Sequence, residues 1–286
     1  MSRWQARRER FRSLLSGNTC VYPGSVFDPI SARIAEDLGF EVGMFAGSVA
    51  SMTVLGAPDL IVLTLTEFAA QAHRICRAGD LPLLCDADHG YGNALNVMRT
   101  IEELETAGVA GLSIEDTELP SPFGSVGKPR LLSIEEGVGK MRAAVAARCD
   151  PGLVIAARTG APSISGIADT IARAKAYAAT GVDAIFLIGI KSRSDLEAVA
   201  AQVRLPLILG GAGKDIMDRD LLARHGVRVC LQGHQPFAAA VRAVHDTLKA
   251  LRDGAAPDEI ETAASDEMMK KFTRNDDYVR WMKDWL

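Results

Sequence analysis

Ala78-Gly79-Asp80-Leu81-Pro82-Leu83-Leu84-Cys85-Asp86-Ala87-Asp88-His89-Gly90-Tyr91-Gly92-Asn93 decides the fold. A glycine stops a helical pattern, an apolar run follows from Leu81 to Cys85, and two carboxylates then enter a glycine-rich turn. Glycine suits that stop because the residue closing a helix usually takes a left-handed conformation. The run is apolar throughout rather than alternating, which marks a strand buried on both faces, as in a parallel sheet. The same unit recurs as Leu38-Gly39 before Val42–Phe45, Ala107-Gly108 before Ala110–Ile114, Thr180-Gly181 before Ala184–Ile188, and His225-Gly226 before Val227–Leu231. Thr19–Tyr22, Leu153–Ala157 and Pro206–Leu209 bring the strands to eight, with helical patterns between them. Eight such units predict an α/β fold of the (β/α)8 TIM-barrel type, with a doubly wound sheet as the alternative. The barrel is expected over residues 1–250 and a C-terminal helical extension over 251–286.

Length and composition agree with one barrel. The chain has 286 residues, 48% of them hydrophobic and 24% charged, and such barrels commonly take about 250 residues. A net charge of -4 argues against a nucleic-acid binder, which would show a basic face. The basic start (Arg3, Arg7, Arg8, Arg10, Arg12) lacks an apolar stretch behind it and reads as a solvated helix rather than a targeting arm. No apolar run approaches the ~20 residues of a membrane span. Cys20, Cys76, Cys85, Cys149 and Cys230 are scattered and show no C-x-x-C spacing. That excludes a disulfide framework or zinc cluster and suits a cytoplasmic protein.

Charge sits where the strands end. Asp86 and Asp88 follow the run at Leu81, Glu115-Asp116 follows Ala110–Ile114, and Arg158 follows Leu153–Ala157. Charged groups at the carboxyl ends of successive strands are the architecture of a barrel active site. Residues i and i+2 share a face only while a strand continues; if the strand ends at Asp86, the two carboxylates fan around one point. Neighbouring carboxylates repel, and a hard divalent cation, Mg2+ or Mn2+, relieves them. A helix cap is the plain alternative for Asp86. Phe45-Ala46-Gly47-Ser48-Val49-Ala50-Ser51 is either a tight turn or a loop presenting N–H groups and a hydroxyl to an anion. Arg158 needs a partner if it points inward, either a carboxylate substrate or Glu115. His234 follows the eighth strand at the same edge, and His89 sits where it could orient a ligand. Met268, Met269, Phe272, Tyr278, Trp281, Met282 and Trp285 crowd the last segment. An oligomer contact is the expected use of these apolar anchors, and packing on their own barrel the alternative.

Taken together, these elements resemble the phosphoenolpyruvate mutase/isocitrate lyase superfamily over residues 10 to 250. The matching stretches are Gly47-Ser48, Pro58-Asp59, Leu63-Thr64-Leu65-Thr66-Glu67, the string from Asp86 to Asn93, Gly111-Leu112-Ser113-Ile114-Glu115-Asp116 and Ala156-Ala157-Arg158-Thr159. The resemblance implies a barrel whose last helix is exchanged with a neighbouring subunit in a homotetramer, a dimer of dimers. It implies Mg2+, an α-keto or enol acid, and a metal-stabilised enolate. Carried over by position, Asp86 is the direct metal ligand, and Asp59, Asp88 and Glu115 act through water. Gly47, Ser48, Val49, Arg158 and His234 bind substrate, and Ser48, Arg158 and His234 are the catalytic set.

The segment after Asp116 separates the branches. Lyases of the superfamily carry Lys-x-Cys-Gly-His there, and the phosphonate enzymes carry Lys and Asn. This chain reads Thr117-Glu118-Leu119-Pro120-Ser121-Pro122-Phe123-Gly124. Pro-Phe-Gly together with Gly233-His234 is most similar to the bacterial oxaloacetate decarboxylase branch, which makes pyruvate and CO2 the expected products. Ser121 and Phe123 are then expected to gate the site without supplying an acid. The alternatives are a 2-methylisocitrate-type lyase, a phosphonopyruvate-type mutase or hydrolase, and a keto-acid sensor without turnover. Two departures lie near the mouth: Gly160, where relatives have Asn or Asp, and Gly210-Gly211-Ala212-Gly213, where relatives place bulkier polar residues.

Overall fold

Alternation along each strand sorts side chains between two cores, and the sorting places the site. The computed structural model describes residues 4–125, 128–260 and 262–286. Its parallel sheet holds eight strands paired in sequence order. They are β1 (Gly24–Ser25), β2 (Gly43–Ala46), β3 (Leu83–Asp86), β4 (Gly111–Glu115), β5 (Val154–Thr159), β6 (Ala184–Leu187), β7 (Leu207–Leu209) and β8 (Val227–Cys230). Leu84, Ala156, Phe186 and Ile208 pack with one another inside the ring. Leu83, Cys85, Ile155, Ala157 and Ile185 pack outward against the helices. Both faces are therefore apolar, as the uninterrupted runs predict.

Strand one differs from expectation. Thr19–Tyr22 supplies only a bridge, Val21 to Val229, while Gly24 and Ser25 pair with β2. One segment thus serves both neighbours in succession, its first part closing the ring on β8 and its second starting the sheet. Strand stagger in a closed barrel requires this kind of handover.

The helix Gln5–Ser16 closes the bottom of the ring. Phe11 and Leu15 join the interior cluster, and a Cβ at Gly111 would stand 2.5 Å from the Phe11 ring. The reading of this helix as solvated is overturned for two of its arginines, because Arg7 and Arg8 are buried. Arg7 donates to the carbonyls of Cys76 and Gly79. Arg8 donates to Val109 O at 3.0 Å and pairs with Asp150. Carbonyls left open where helices end need donors, and the planar guanidinium forks of this helix supply them. Arg3 lies outside the described residues. The glycine stops behave differently from one another. Gly108 takes φ 93 as a left-handed cap, whereas Gly79 is held between Arg7 and Glu36, whose carboxylate a Cβ there would strike.

Helix Gln235–Arg252 follows β8 and has no buried residue. Phe237 at its start meets Phe27 edge-on at 5.3 Å. Two short helices, Asp266–Thr273 and Asn275–Trp285, end the chain. Their junction returns to helix Pro29–Asp37, where Arg274 pairs with Asp37 at 2.7 Å and Arg33 donates to Phe272 O at 3.1 Å. The anchor residues Met268, Met269, Tyr278, Trp281, Met282 and Trp285 stay exposed. Polar clamps hold this segment on its own barrel; Phe272 is half-buried, and the other six anchors are not buried by that contact. No helix among the described residues is long and apolar enough to cross a membrane.

Candidate active site

At the carboxyl ends of the strands lies a cavity of about 590 Å³, lined by Ser48, Asp59, Asp86, Asp88, Glu115, Arg158 and His234 among others. Strand parity explains who is in it. Leu84 faces inward, so Asp86 does; Ser113 and Glu115 on β4 and Arg158 on β5 follow the same count. Glu115 and Arg158 stand opposite each other in register. Asp116 is one residue out of phase and points away. It accepts from Tyr177 Oη at 2.6 Å and from Arg173 at 3.0 Å in the helical layer. Only the first carboxylate of the Glu115-Asp116 pair belongs to the site.

β3 ends at Asp86, and Asp88 follows at φ 48. That left-handed turn, unusual for a residue other than glycine, swings the second carboxylate back toward the first. Ser113 Oγ donates to Asp86 Oδ1 at 2.9 Å, and Arg158 donates to Asp86 Oδ2. Arg158 also lies 3.6 Å from Glu115 and 5.6 Å over the Phe186 ring. Its first partner is therefore Asp86, ahead of the Glu115 expected. Thr117 Oγ1 donates to Glu115 Oε2 at 2.8 Å.

Four carboxyl groups share this cavity with one guanidinium. Burial pushes the Asp88 carboxyl well up, with Asp86 and Glu115 adding to the effect. Burial also raises Glu115, against the pull of Arg158, and raises Asp59, with Asp86 contributing. For Arg158, burial opposes the charge, but Asp86 and Glu115 more than offset it and its pKa rises. An acidic excess in a low-dielectric pocket fits a hard divalent cation with oxygen ligands. Among the described residues no three His, Cys, Asp or Glu side chains are gathered to hold one by themselves. Oxygen ligands for such an ion would come from among Asp59, Asp86, Asp88 and Glu115.

The remaining expected residues separate. Ser48 lines the cavity; Gly47 and Val49 do not. Gly47 begins the short helix Gly47–Ala50, and a Cβ on it would sit 2.6 Å from Asp88 Oδ1. The Asp88 carboxylate thus packs closely against this turn. Val49 is buried in the apolar interior with Met44, Ala46 and Leu231. His234 has its Nδ1 2.8 Å from Ser25 Oγ, and burial lowers its pKa, against the pull of Asp86 and Asp59. His89 is buried outside the cavity lining, its pKa lowered to about 4 by burial.

Ser113, Thr117 and Ser25 escaped the sequence reading. Counting parity back from Glu115 would have found Ser113, and forward again Thr117. Nothing local marked Ser25, because strand one was placed four residues early. An apolar wall of Met44, Leu60, Ile61, Phe186, Ile188 and Leu231 completes the cavity. Ile61 holds φ 58, a region costly for a β-branched residue. Gly210 also lines the wall, and a Cβ there would collide with Ile188. Gly160 caps the short helix Ala161–Ile164 and does not line the cavity.

From the loop after Asp116, Thr117, Leu119, Pro120 and Ser121 line the cavity, whereas Phe123 is 109% exposed. Ser121 reaches the cavity, and Phe123 faces solvent. A Thr117–Leu131 bridge and a Glu118–Arg130 hydrogen bond of 2.7 Å tie the two ends of the loop together. Val126 and Gly127 lie outside the described residues. Cys149 is exposed, and the other four cysteines are buried; none lines the cavity. Alkylation of the native protein should therefore modify Cys149 and leave turnover intact. Loss of activity in step with one equivalent, prevented by substrate, would contradict the cavity as described.

Three comparisons bear on this geometry. Residues 11–252 match the family model for phosphoenolpyruvate phosphomutase. The chain is 60% identical over 271 residues to the oxaloacetate decarboxylase of Bradyrhizobium diazoefficiens, covering 95% of this chain and 94% of that protein. Among solved structures, oxaloacetate acetylhydrolase in complex with the inhibitor 3,3-difluorooxalacetate superposes with a TM-score of 0.85 at 28% identity, over 98% of this chain and 97% of that one. Phosphonopyruvate hydrolase in complex with oxalate and Mg2+ does so with a TM-score of 0.85 at 25% identity, over 98% and 99%.

Proposed function

Because the chain belongs to the phosphoenolpyruvate phosphomutase family, we propose that it is an oxaloacetate decarboxylase, an enzyme releasing CO2 and pyruvate with the aid of Mg2+ or Mn2+. The observation that carries this reading is the 60% identity to a decarboxylase of that name over nearly the whole chain. The cavity supports it. The loop residues that reach it, Thr117, Leu119, Pro120 and Ser121, bring no thiol, amine or carboxyl group to protonate a leaving carbanion.

Decarboxylation breaks the bond between the β-carbon and its carboxylate. The electron pair moves into the C2–C3 bond, charge collects on the keto oxygen, CO2 leaves, and water protonates C3. A divalent cation, when bound, would supply Lewis-acid stabilisation of that charge. Asp86 would hold the ion directly, and Asp59, Asp88 and Glu115 through water. Ser48 offers a hydroxyl to a substrate oxygen. Arg158, whose Nε is buried without a hydrogen-bond partner among the described residues, can offer an N–H to a carboxylate. His234 is neutral and donates a hydrogen bond to an oxygen of the substrate. The apolar wall of Phe186, Ile188 and Leu231 disfavours a charged carboxylate beside it and favours its loss as CO2.

The test is pyruvate formation from oxaloacetate, measured against Mg2+ alone, with EDTA-treated protein, 2-methylisocitrate and phosphonopyruvate in parallel. Metal-dependent consumption of oxaloacetate above the ion's own rate is expected. Turnover of another substrate in its place would overturn the reading, as would full activity after EDTA. Oxalate binding with no turnover of any keto acid would identify a sensor.

The same proposal extends to assembly and place. Helix Gln235–Arg252 presents Val241, Val244 and Leu248 without burying them. Seated on a neighbouring subunit they would be covered, as in the homotetramer the resemblance implies. Light scattering should find about four chains per particle, and a monomer would end this part of the proposal. Five cysteines, none in a disulfide, suit a reducing cytoplasm.

A further inference from the structure

The productive form of His234 poses a question that the rest of the site does not answer. A keto acid presents only hydrogen-bond acceptors, so the imidazole must offer a donor. A neutral imidazole carries one N–H and one bare nitrogen. If Nδ1 is bare, Nε2 carries the proton, and Nδ1 must then receive a hydrogen bond from elsewhere. Ser25 Oγ lies 2.8 Å from that nitrogen.

We propose that Ser25 is a positioning residue: its hydroxyl donates to His234 Nδ1 and fixes the imidazole as the Nε2–H tautomer, the form able to bind the substrate. This rests on the decarboxylase reading for its purpose, though not for its geometry. His234 precedes helix Gln235–Arg252, yet its side chain makes no capping hydrogen bond there. The ring is therefore not held by the helix. Ser25 is held on rigid backbone, because Gly24 N donates to Val42 O at 3.0 Å and Val26 N to Met44 O at 2.9 Å on either side of it. A functional group supported from a strand is fixed more closely than one supported from a loop, and His234 follows Gly233, which sits at φ 85. The strand thus supplies the ring with the hydrogen bond that the helix it precedes does not. Burial keeps the ring neutral despite Asp86 and Asp59, so a choice between tautomers is what the hydroxyl decides.

The test combines nitrogen NMR with kinetics. In protein labelled at histidine nitrogens, with His234→Gln used to assign the signal, the wild type should show an Nε2-protonated ring. Ser25→Ala should shift it toward a mixture of tautomers. The same variant should lose ~10-fold in kcat/KM for oxaloacetate, the scale of one hydrogen bond, at unchanged Tm. Ser25→Thr, which keeps the hydroxyl, should restore both signals and serves if the Ala variant folds poorly. In a His234→Ala background, Ser25→Ala should cost nothing further. An Nδ1–H ring in the wild type would overturn the proposal. So would nitrogen shifts unmoved in Ser25→Ala, or a kinetic loss that persists without His234. A wild-type protein inert toward oxaloacetate would defeat the decarboxylase reading instead, while the nitrogen shifts would still decide the role of Ser25.

Discussion

Asp86→Asn is expected to lower oxaloacetate turnover by ~10³-fold or more, which corresponds to about 4 kcal/mol of transition-state stabilisation. Asn keeps the volume and an acceptor for Ser113, whose hydrogen bond of 2.9 Å holds Oδ1 in place. What it removes is the charge that would hold the divalent ion. Asp86 also pairs with Arg158; Asn and Ala both remove that charge and leave the guanidinium with Glu115 at 3.6 Å, and because breaking a buried pair is itself destabilising, the Tm without Mg2+ is measured alongside turnover. The second readout is thermal. At Mg2+ a hundredfold above its Kd, the wild type should gain ~2.7 kcal/mol, a rise in Tm of roughly 5 °C for a chain of this size. Asp86→Asn should lose that rise. Near wild-type turnover with the Mg2+ shift intact would remove Asp86 as the ligand.

His234→Ala should lower kcat/KM by ~10²-fold, as expected for one hydrogen bond of ~2.7 kcal/mol that strengthens in the transition state. The reaction removes CO2 rather than a proton, so the ring need not act as a base. Its pKa, already lowered by burial, keeps it neutral at pH 7, and raising the pH from there should produce no inflection from this group. His234→Gln should recover part of the rate by keeping a donor. A purely structural histidine ahead of helix Gln235–Arg252 predicts something else: a lower Tm and weaker oxalate binding in both variants. Unchanged turnover in His234→Ala would take the residue out of the reaction.

The sequence by itself determined the barrel and most of the charged ring at its mouth. Apolar runs buried on both faces and the glycines between them are signals contained within a dozen residues, so β2 to β8 appear within a residue or two of expectation. Since a strand alternates with a period of two, a charge at its end is also aimed by its own segment, which is why Asp86, Glu115 and Arg158 meet. Tertiary structure decided whatever depends on a partner far along the chain. Asp116 looks like a twin of Glu115 in sequence, yet it belongs to Arg173 and Tyr177. Arg7 and Arg8 look solvated until the ends of other helices and strands surround them. Val49 sits in the expected anion loop but turns into the apolar interior. Ser25 and His234 are 209 residues apart, and they meet because β1 and β8 close the ring. Closure depends on the stagger of all eight strands together, a property that no single stretch of the chain carries.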